Sequence, residues 1–137
     1  MNMTRKMTLA YVLSGHTMAL GVVRSLGEKG VPVILLHHDR RSMAQVSRYV
    51  THSVETPHPE SAEEEFITSL MNCARRFGHG VVFPVSDETV VAVSRHKRVL
   101  EERLTIACPD WDVVERYIDK KKTYALAGES GVAAPKT

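Results

Sequence analysis

The chain has 137 residues, 43% of them hydrophobic and 25% charged, a length and composition that suit one globular domain and argue against disorder or a fibre. Its formal net charge of +2 is too small to draw nucleic acid or an anionic membrane, so only local charge is informative. Cys73 and Cys108 have neither metal-ligand spacing nor a disulfide framework around them, and the early apolar run "MTLAYVL" is broken at once by Ser14, Gly15 and His16. We therefore expect a cytoplasmic protein with buried thiols, without a signal peptide or a membrane span.

Strand-like and helix-like runs alternate along the chain. "LAYVL" (Leu9 to Leu13) is short and almost wholly apolar, as suits a strand buried on both faces of a parallel sheet. In "TMALGVVRSLGEKG" the residues Ala19, Val22, Val23 and Leu26 recur at helical spacing, and Gly30 stands where a left-handed helix end would fall. A second apolar run, "VPVILL" (Val31 to Leu36), completes a βαβ unit. The stretch from Asp39 to Glu60 is polar and proline-bearing, and reads as a long connection with at most one short strand near Val54. Ser61 with Glu64 predicts a capping box, ahead of an apolar stripe of Phe66, Ile67, Leu70, Met71, Ala74 and Phe77. "VVFPV" (Val81 to Val85) is a third strand, Ser86 or Asp87 can cap a third helix toward His96, and "LTIAC" (Leu104 to Cys108) is a fourth strand. Asp110 and Asp119 begin two further helices. The pattern predicts an α/β domain, an open, mostly parallel Rossmann-like sheet with the Leu9 strand central and helices on both faces.

In such sheets ligands bind outside the carboxyl ends of the strands, which selects the loops at Ser14 to Thr17, His37 to Ser42 and Pro84 to Glu88. A dinucleotide fingerprint starting at Gly15 would need glycine where the chain has Thr17 and Leu20, so NAD(P) binding rests on Asp39 alone. Gly15 still permits a tight turn, and the helix start behind it has free N–H groups that suit an anion. His37 and His38 are neighbours on a strand end and point to opposite faces, so they do not readily share one metal ion. Ser86, Asp87 and Glu88 suit a helix cap with an acidic first turn, and a place in a cleft is a second role open to them. Lys120, Lys121 and Lys122 crowd the positive end of a helix, an unfavourable arrangement unless they are solvated or one of them meets a phosphate.

Asp119-Lys120, Thr123, Gly131, Val132 and Pro135 resemble the "DK…T…GVPxP" signature that leads into the nucleotide-binding part of ATP-grasp enzymes, with Ala133 where the family often has proline. Upstream, "GVVRSLGEKGVPVILL", "SRYV", "FPVSDETV" and "SRHKRVLEERL" are similar to the N-terminal, pre-ATP-grasp domain of ligases akin to the carbamoyl phosphate synthetase large chain. The resemblance implies a pre-ATP-grasp domain at 1–118, and a helix and start of a linker at 119–137 into an ATP-grasp core that would follow Thr137. It further implies that Lys120 binds nucleotide and Asp119 holds the turn, while Gly15, His16, Thr17, Ser86, Asp87 and Glu88 line the cleft for the other substrate. No residue is assigned to catalysis or metal binding. The intact enzyme would use ATP and Mg²⁺ to join small-molecule carboxylate and amine substrates through an acyl phosphate, and the fragment alone would be inactive and bind neither tightly. The alternative is a free-standing Rossmann-like binding module.

Overall fold

The computed structural model describes residues 7–136. The basic stretch Met1 to Lys6 and the terminal Thr137 lie outside the described residues. Five strands, β1 (Leu9–Leu13), β2 (Val33–His37), β3 (Val50–Glu55), β4 (Gly80–Pro84) and β5 (Thr105–Ile106), form one sheet in the order β3-β2-β1-β4-β5. Every pairing is parallel, with Tyr11 opposite Ile34 on one side and Val82 on the other. β1 is therefore central, as expected, and all strand ends of one kind share one edge.

Helices cover both faces. Helix α1 (Thr17–Glu28) packs Ala19 and Val23 on Ala10, Val12, Val33 and Leu35. On the other face α2 (Glu63–Phe77), α3 (Asp87–Arg95) and the single turn α4 (Lys97–Leu100) enclose the larger core, built on Tyr11, Leu13, Ile34, Leu36, Phe66, Leu70 and Val82. Each fully buried side chain of this kind contributes on the order of 1.5–3 kcal/mol. Tyr11, wholly buried, donates its hydroxyl to the Gly78 carbonyl, and burial pushes its phenol up to about 12. Helices α5 (Trp111–Ile118) and α6 (Lys120–Glu129) follow, and α6 buries none of its residues. No described helix is long and apolar enough to cross a membrane.

The connection after Asp39 holds a 3₁₀ turn (Met43–Val46) and one strand, the edge strand β3, which contains Val54 as expected although most of its side chains are exposed. The structure departs from the expectations at two places. The capping box at Ser61 does not form: α2 starts at Glu63 with Ala62 as its N-cap and no side-chain cap. Instead Ala62 N–H binds the His58 carbonyl, and Glu60 N–H donates to His58 Nδ1 at 3.2 Å, while Glu63, Glu64 and Glu65 face the positive helix end. The fourth apolar run gives only two strand residues, because Leu104 N–H is taken by the Leu100 carbonyl. Gly30 does lie in the left-handed region, at φ 75°.

Candidate functional site

The carboxyl ends of β1 to β4 bring four loops together. After β1 the chain turns through Ser14, whose φ of 105° is unusual for a residue with a side chain. Gly15 follows, and the Ser42 hydroxyl donates to its carbonyl at 2.8 Å, as does Ala44 N–H at 3.1 Å. A Cβ on Gly15 would stand 1.8 Å from Ser42 Oγ and 2.3 Å from Ser42 Cβ, so the close approach of these loops requires glycine. The loops after β2 and β3 are joined in turn by Thr56 N–H, which donates to the His37 carbonyl at 2.8 Å.

His16 is the N-cap of α1 but makes no capping bond, and the first turn of α1 has no acidic residue. Its ring lies 6.2 Å from that of His38, which in turn meets His58 edge-on at 4.5 Å. Burial, then His58 and His16, push the His38 imidazole below its ordinary range, against the weaker pull of Glu88 and Asp39. His37 is buried, with Nδ1 bonded to the Asp39 carbonyl at 2.9 Å, whereas the half-buried His38 ring meets those of His16 and His58. Among the described residues no group of three or more His, Cys, Asp or Glu is arranged to hold a metal ion.

Ser86 caps α3 and exchanges hydrogen bonds with Thr89 in a capping box. Behind it the Glu88 carboxyl is held below its usual range by its own backbone N–H and by the Ser86 hydroxyl, with smaller pulls from His38 and His58. Asp87 and Glu88 line a cleft of about 360 Å³ together with Pro59, Glu60, Glu63, Val91, Arg95 and Ile118. One wall is cross-linked: Glu63 accepts from Arg95 at 3.1 Å and from His96 Nε2 at 3.0 Å, and the Arg95 guanidinium lies 4.6 Å from the Trp111 ring centre. An equally large cleft of about 360 Å³ at the opposite edge is lined, among the described residues, by Met7, Thr8, Leu9, Ala10, Leu26, Val31, Val81 and Phe83, none of them titratable.

The structure thus gathers the predicted residues unequally. Gly15 and His16 share a corner with Glu88 through His38, whereas Thr17 is exposed with no side-chain bond. Asp87 and Glu88 face the cleft, and Ser86 shapes the turn beneath them. The sequence offered His38 only as a metal ligand and did not single out His58; nothing in their spacing reveals that two separate loops bring their rings together edge to face. Lys120 opens α6, exposed, and its ammonium has no hydrogen bond or ion pair among the described residues. Asp119 caps this helix, accepting from Lys121 N–H at 2.9 Å, and Lys122 reaches Glu115 at 3.5 Å. Thr123 donates to the Arg116 carbonyl at 2.8 Å and closes the α5–α6 corner, so part of the "DK…T" pattern has a structural role.

No protein-family model and no curated protein sequence matches the chain. Solved structures do. The L-amino acid ligase from Bacillus licheniformis superposes with a TM-score of 0.72 at 14% identity, over 95% of this chain and 32% of that one. An N5-carboxyaminoimidazole ribonucleotide synthetase solved as an ADP complex gives 0.70 at 9% identity, over 94% and 30%. The glycinamide-RNase-transformylase T of Mycobacterium tuberculosis gives 0.64 at 18%, over 88% and 34%. The chain spans about one third of the length of the structures it matches. Its all-parallel five-stranded sheet with flanking helices is the fold of the pre-ATP-grasp domain.

Proposed function

We propose that this chain is the pre-ATP-grasp part of an ATP-dependent carboxylate–amine, or related, ligase, and that it forms one wall of the cleft for the non-nucleotide substrate. The observation that carries the reading is the match over 95% of the chain to an L-amino acid ligase, in a fold whose carboxyl-end loops converge polar groups. In the proposed reaction a carboxylate oxygen attacks the γ-phosphorus of ATP and ADP leaves. The amine then attacks the acyl phosphate carbon, and inorganic phosphate departs with the carboxylate oxygen.

ATP with Mg²⁺ supplies the transferable phosphoryl group and the charge neutralisation. The described residues of this chain offer no metal-ligand cluster, and toward the nucleotide they fit only through Lys120, whose free ammonium stands beside the start of α6. Lys120 would hold a phosphate oxygen, and Asp119 orients that turn. Gly15 allows the β1 loop to close on Ser42, His16 and Glu88 lie near His38 at the shared corner, and Asp87 lines the cleft. Small-molecule carboxylates and amines are the partners this arrangement suits.

The intact enzyme should sustain ADP release over many turnovers only when both a carboxylate and an amine from a panel are present. ADP release that is indifferent to every carboxylate and amine would contradict the reading and favour a binding module.

A further inference from the structure

Three loops meet at the carboxyl edge of the sheet, and each contributes one histidine. His16 follows β1, His38 follows β2, and His58 lies between β3 and α2. Their rings form a row, His16 to His38 at 6.2 Å and His38 to His58 at 4.5 Å, each pair edge to face. Rings placed in this way attract while neutral, and repel once two neighbours carry charge.

His58 has a second task. Its Nδ1 accepts from Glu60 N–H at 3.2 Å, with Ser61 N–H at 3.5 Å, and so closes the turn ahead of α2, a helix without a side-chain cap of its own. That acceptor is a lone pair present only on the neutral ring with its proton on Nε2. A proton added at Nδ1 removes the acceptor, turns a ring N–H toward backbone N–H groups, and sets a cation beside His38. Both consequences loosen the loop. The loop is also a wall of the cleft, for Pro59 and Glu60 line it beside Glu63, Asp87 and Glu88.

The neighbouring charges do not cancel this effect. Asp39 and Glu88 face His38, and Glu88 also faces His58, yet burial and the two histidine neighbours outweigh them and hold the His38 imidazole below its ordinary range. Glu63 is engaged by Arg95 at 3.1 Å and His96 at 3.0 Å, Glu64 lies 3.9 Å from His96, and Arg40 is engaged by Glu55 at 3.1 Å. Glu60, Glu65 and Asp87 are exposed, where solvent screens them.

We propose that His16, His38 and His58 form an acid-sensitive latch on this cleft wall: neutral, they hold the loop before α2 against the edge of the sheet, and protonation of His58 lets His58 to Ser61 detach and widen the cleft. That the cleft receives a substrate rests on the ligase reading; the latch itself does not. Because the closed form requires neutral rings, closing releases protons. The closed form therefore gains as the pH rises through the histidine range and is lost as it falls.

The test uses the whole chain labelled with ¹⁵N. Its first readout is the tautomer of His58 at about pH 8, taken from the two ring-nitrogen shifts, and the proton should sit on Nε2. Its second is amide hydrogen exchange at Glu60 and Ser61, divided by the intrinsic rate at each pH. Protection there should fall at least about tenfold from about pH 7.5 to about pH 5.5, since one proton taken up on opening allows up to roughly tenfold per pH unit. His58→Gln keeps an acceptor that does not titrate, so its protection should persist at both pH values with less than about a threefold difference. His58→Ala should lose protection at both. A His58 proton on Nδ1, wild-type protection equal at the two pH values, or an undiminished pH dependence in His58→Gln overturns the proposal. The tautomer is read on wild type, so it decides even where a variant does not fold. None of these readouts involves nucleotide, carboxylate or amine: their failure leaves the ligase reading to ADP release, and failure of that reading leaves the latch as measured.

Discussion

Replacing Gly15 by alanine is the sharpest perturbation of the loop corner. The new Cβ would lie 1.8 Å from Ser42 Oγ, 2.3 Å from Ser42 Cβ and 3.1 Å from His37 Cβ. A rotamer change moves the hydroxyl but not Ser42 Cβ, so the backbone of one loop must shift. Overpacking of this kind costs about 1–3 kcal/mol. The shift also strains the bond from Ser42 to the Gly15 carbonyl and that from Ala44 N–H, and losing one of them adds about 1 kcal/mol. Gly15→Ala should therefore cost about 2–4 kcal/mol, a fall in Tm of roughly 6–15 °C for a domain of this size. Urea unfolding should give a lower midpoint at an unchanged slope. In a Ser42→Gly background, where both colliding atoms are gone, the same replacement should cost under about 1 kcal/mol. If Gly15→Ala unfolds within about 0.5 kcal/mol of wild type, or if Ser42→Gly does not relieve it, the close approach of the two loops is wrong.

Ser86→Ala removes the α3 capping box and should lose about 1 kcal/mol in chemical unfolding, with no change expected if another group caps the helix. Tyr11→Phe leaves the Gly78 carbonyl without its buried donor and should cost about 1–2 kcal/mol by the same assay. His38 has its folded pKa below the ordinary 6.5, so its neutral form stabilises the fold above that value and this stability is lost as the pH falls through the folded pKa. Unfolding of wild type and His38→Gln across about pH 5–8 should show the variant losing less stability on acidification, and parallel curves would refute the assignment. In the intact enzyme Lys120→Ala should raise the apparent KM for ATP or lower the rate by about ten- to a hundredfold. Lys121→Ala and Lys122→Ala should do far less, and equal small effects from all three would mark the run as a solvated basic turn.

Where hydrophobic pattern determines structure, the sequence was legible. The runs at Leu9, Val31 and Val81 are strands because both faces of a parallel sheet are buried, and the Leu9 strand is central because helices from both crossovers pack around it. β3 was legible only as a short strand near Val54, because an edge strand buries little: Thr51, His52, Ser53 and Glu55 are exposed, so the backbone ladder to β2 carries little apolar signature. At Ser61 a capping box was readable from local spacing, but His58, placed by the preceding loop, binds the same backbone region first. The caps at Ser86 and Asp119 form because no tertiary partner competes for their side chains. The site was half legible. Gly15, His16 and Glu88 follow from the rule for strand carboxyl ends. The histidine corner does not, since His38 and His58 are twenty residues apart in loops whose meeting depends on the register of β2 with β3.

The central claim is that a carboxylate is activated by phosphorylation beside this domain, and oxygen transfer tests it directly. The intact enzyme is supplied with ATP, Mg²⁺, an amine and a carboxylate labelled with ¹⁸O, and the inorganic phosphate released is weighed by mass spectrometry. Attack by the carboxylate on the γ-phosphorus, followed by amine displacement, places one labelled oxygen in each phosphate formed. That is the predicted result. Phosphate that carries no label while the amide accumulates would mean the carboxylate never attacks phosphorus, and the acyl phosphate account would fall.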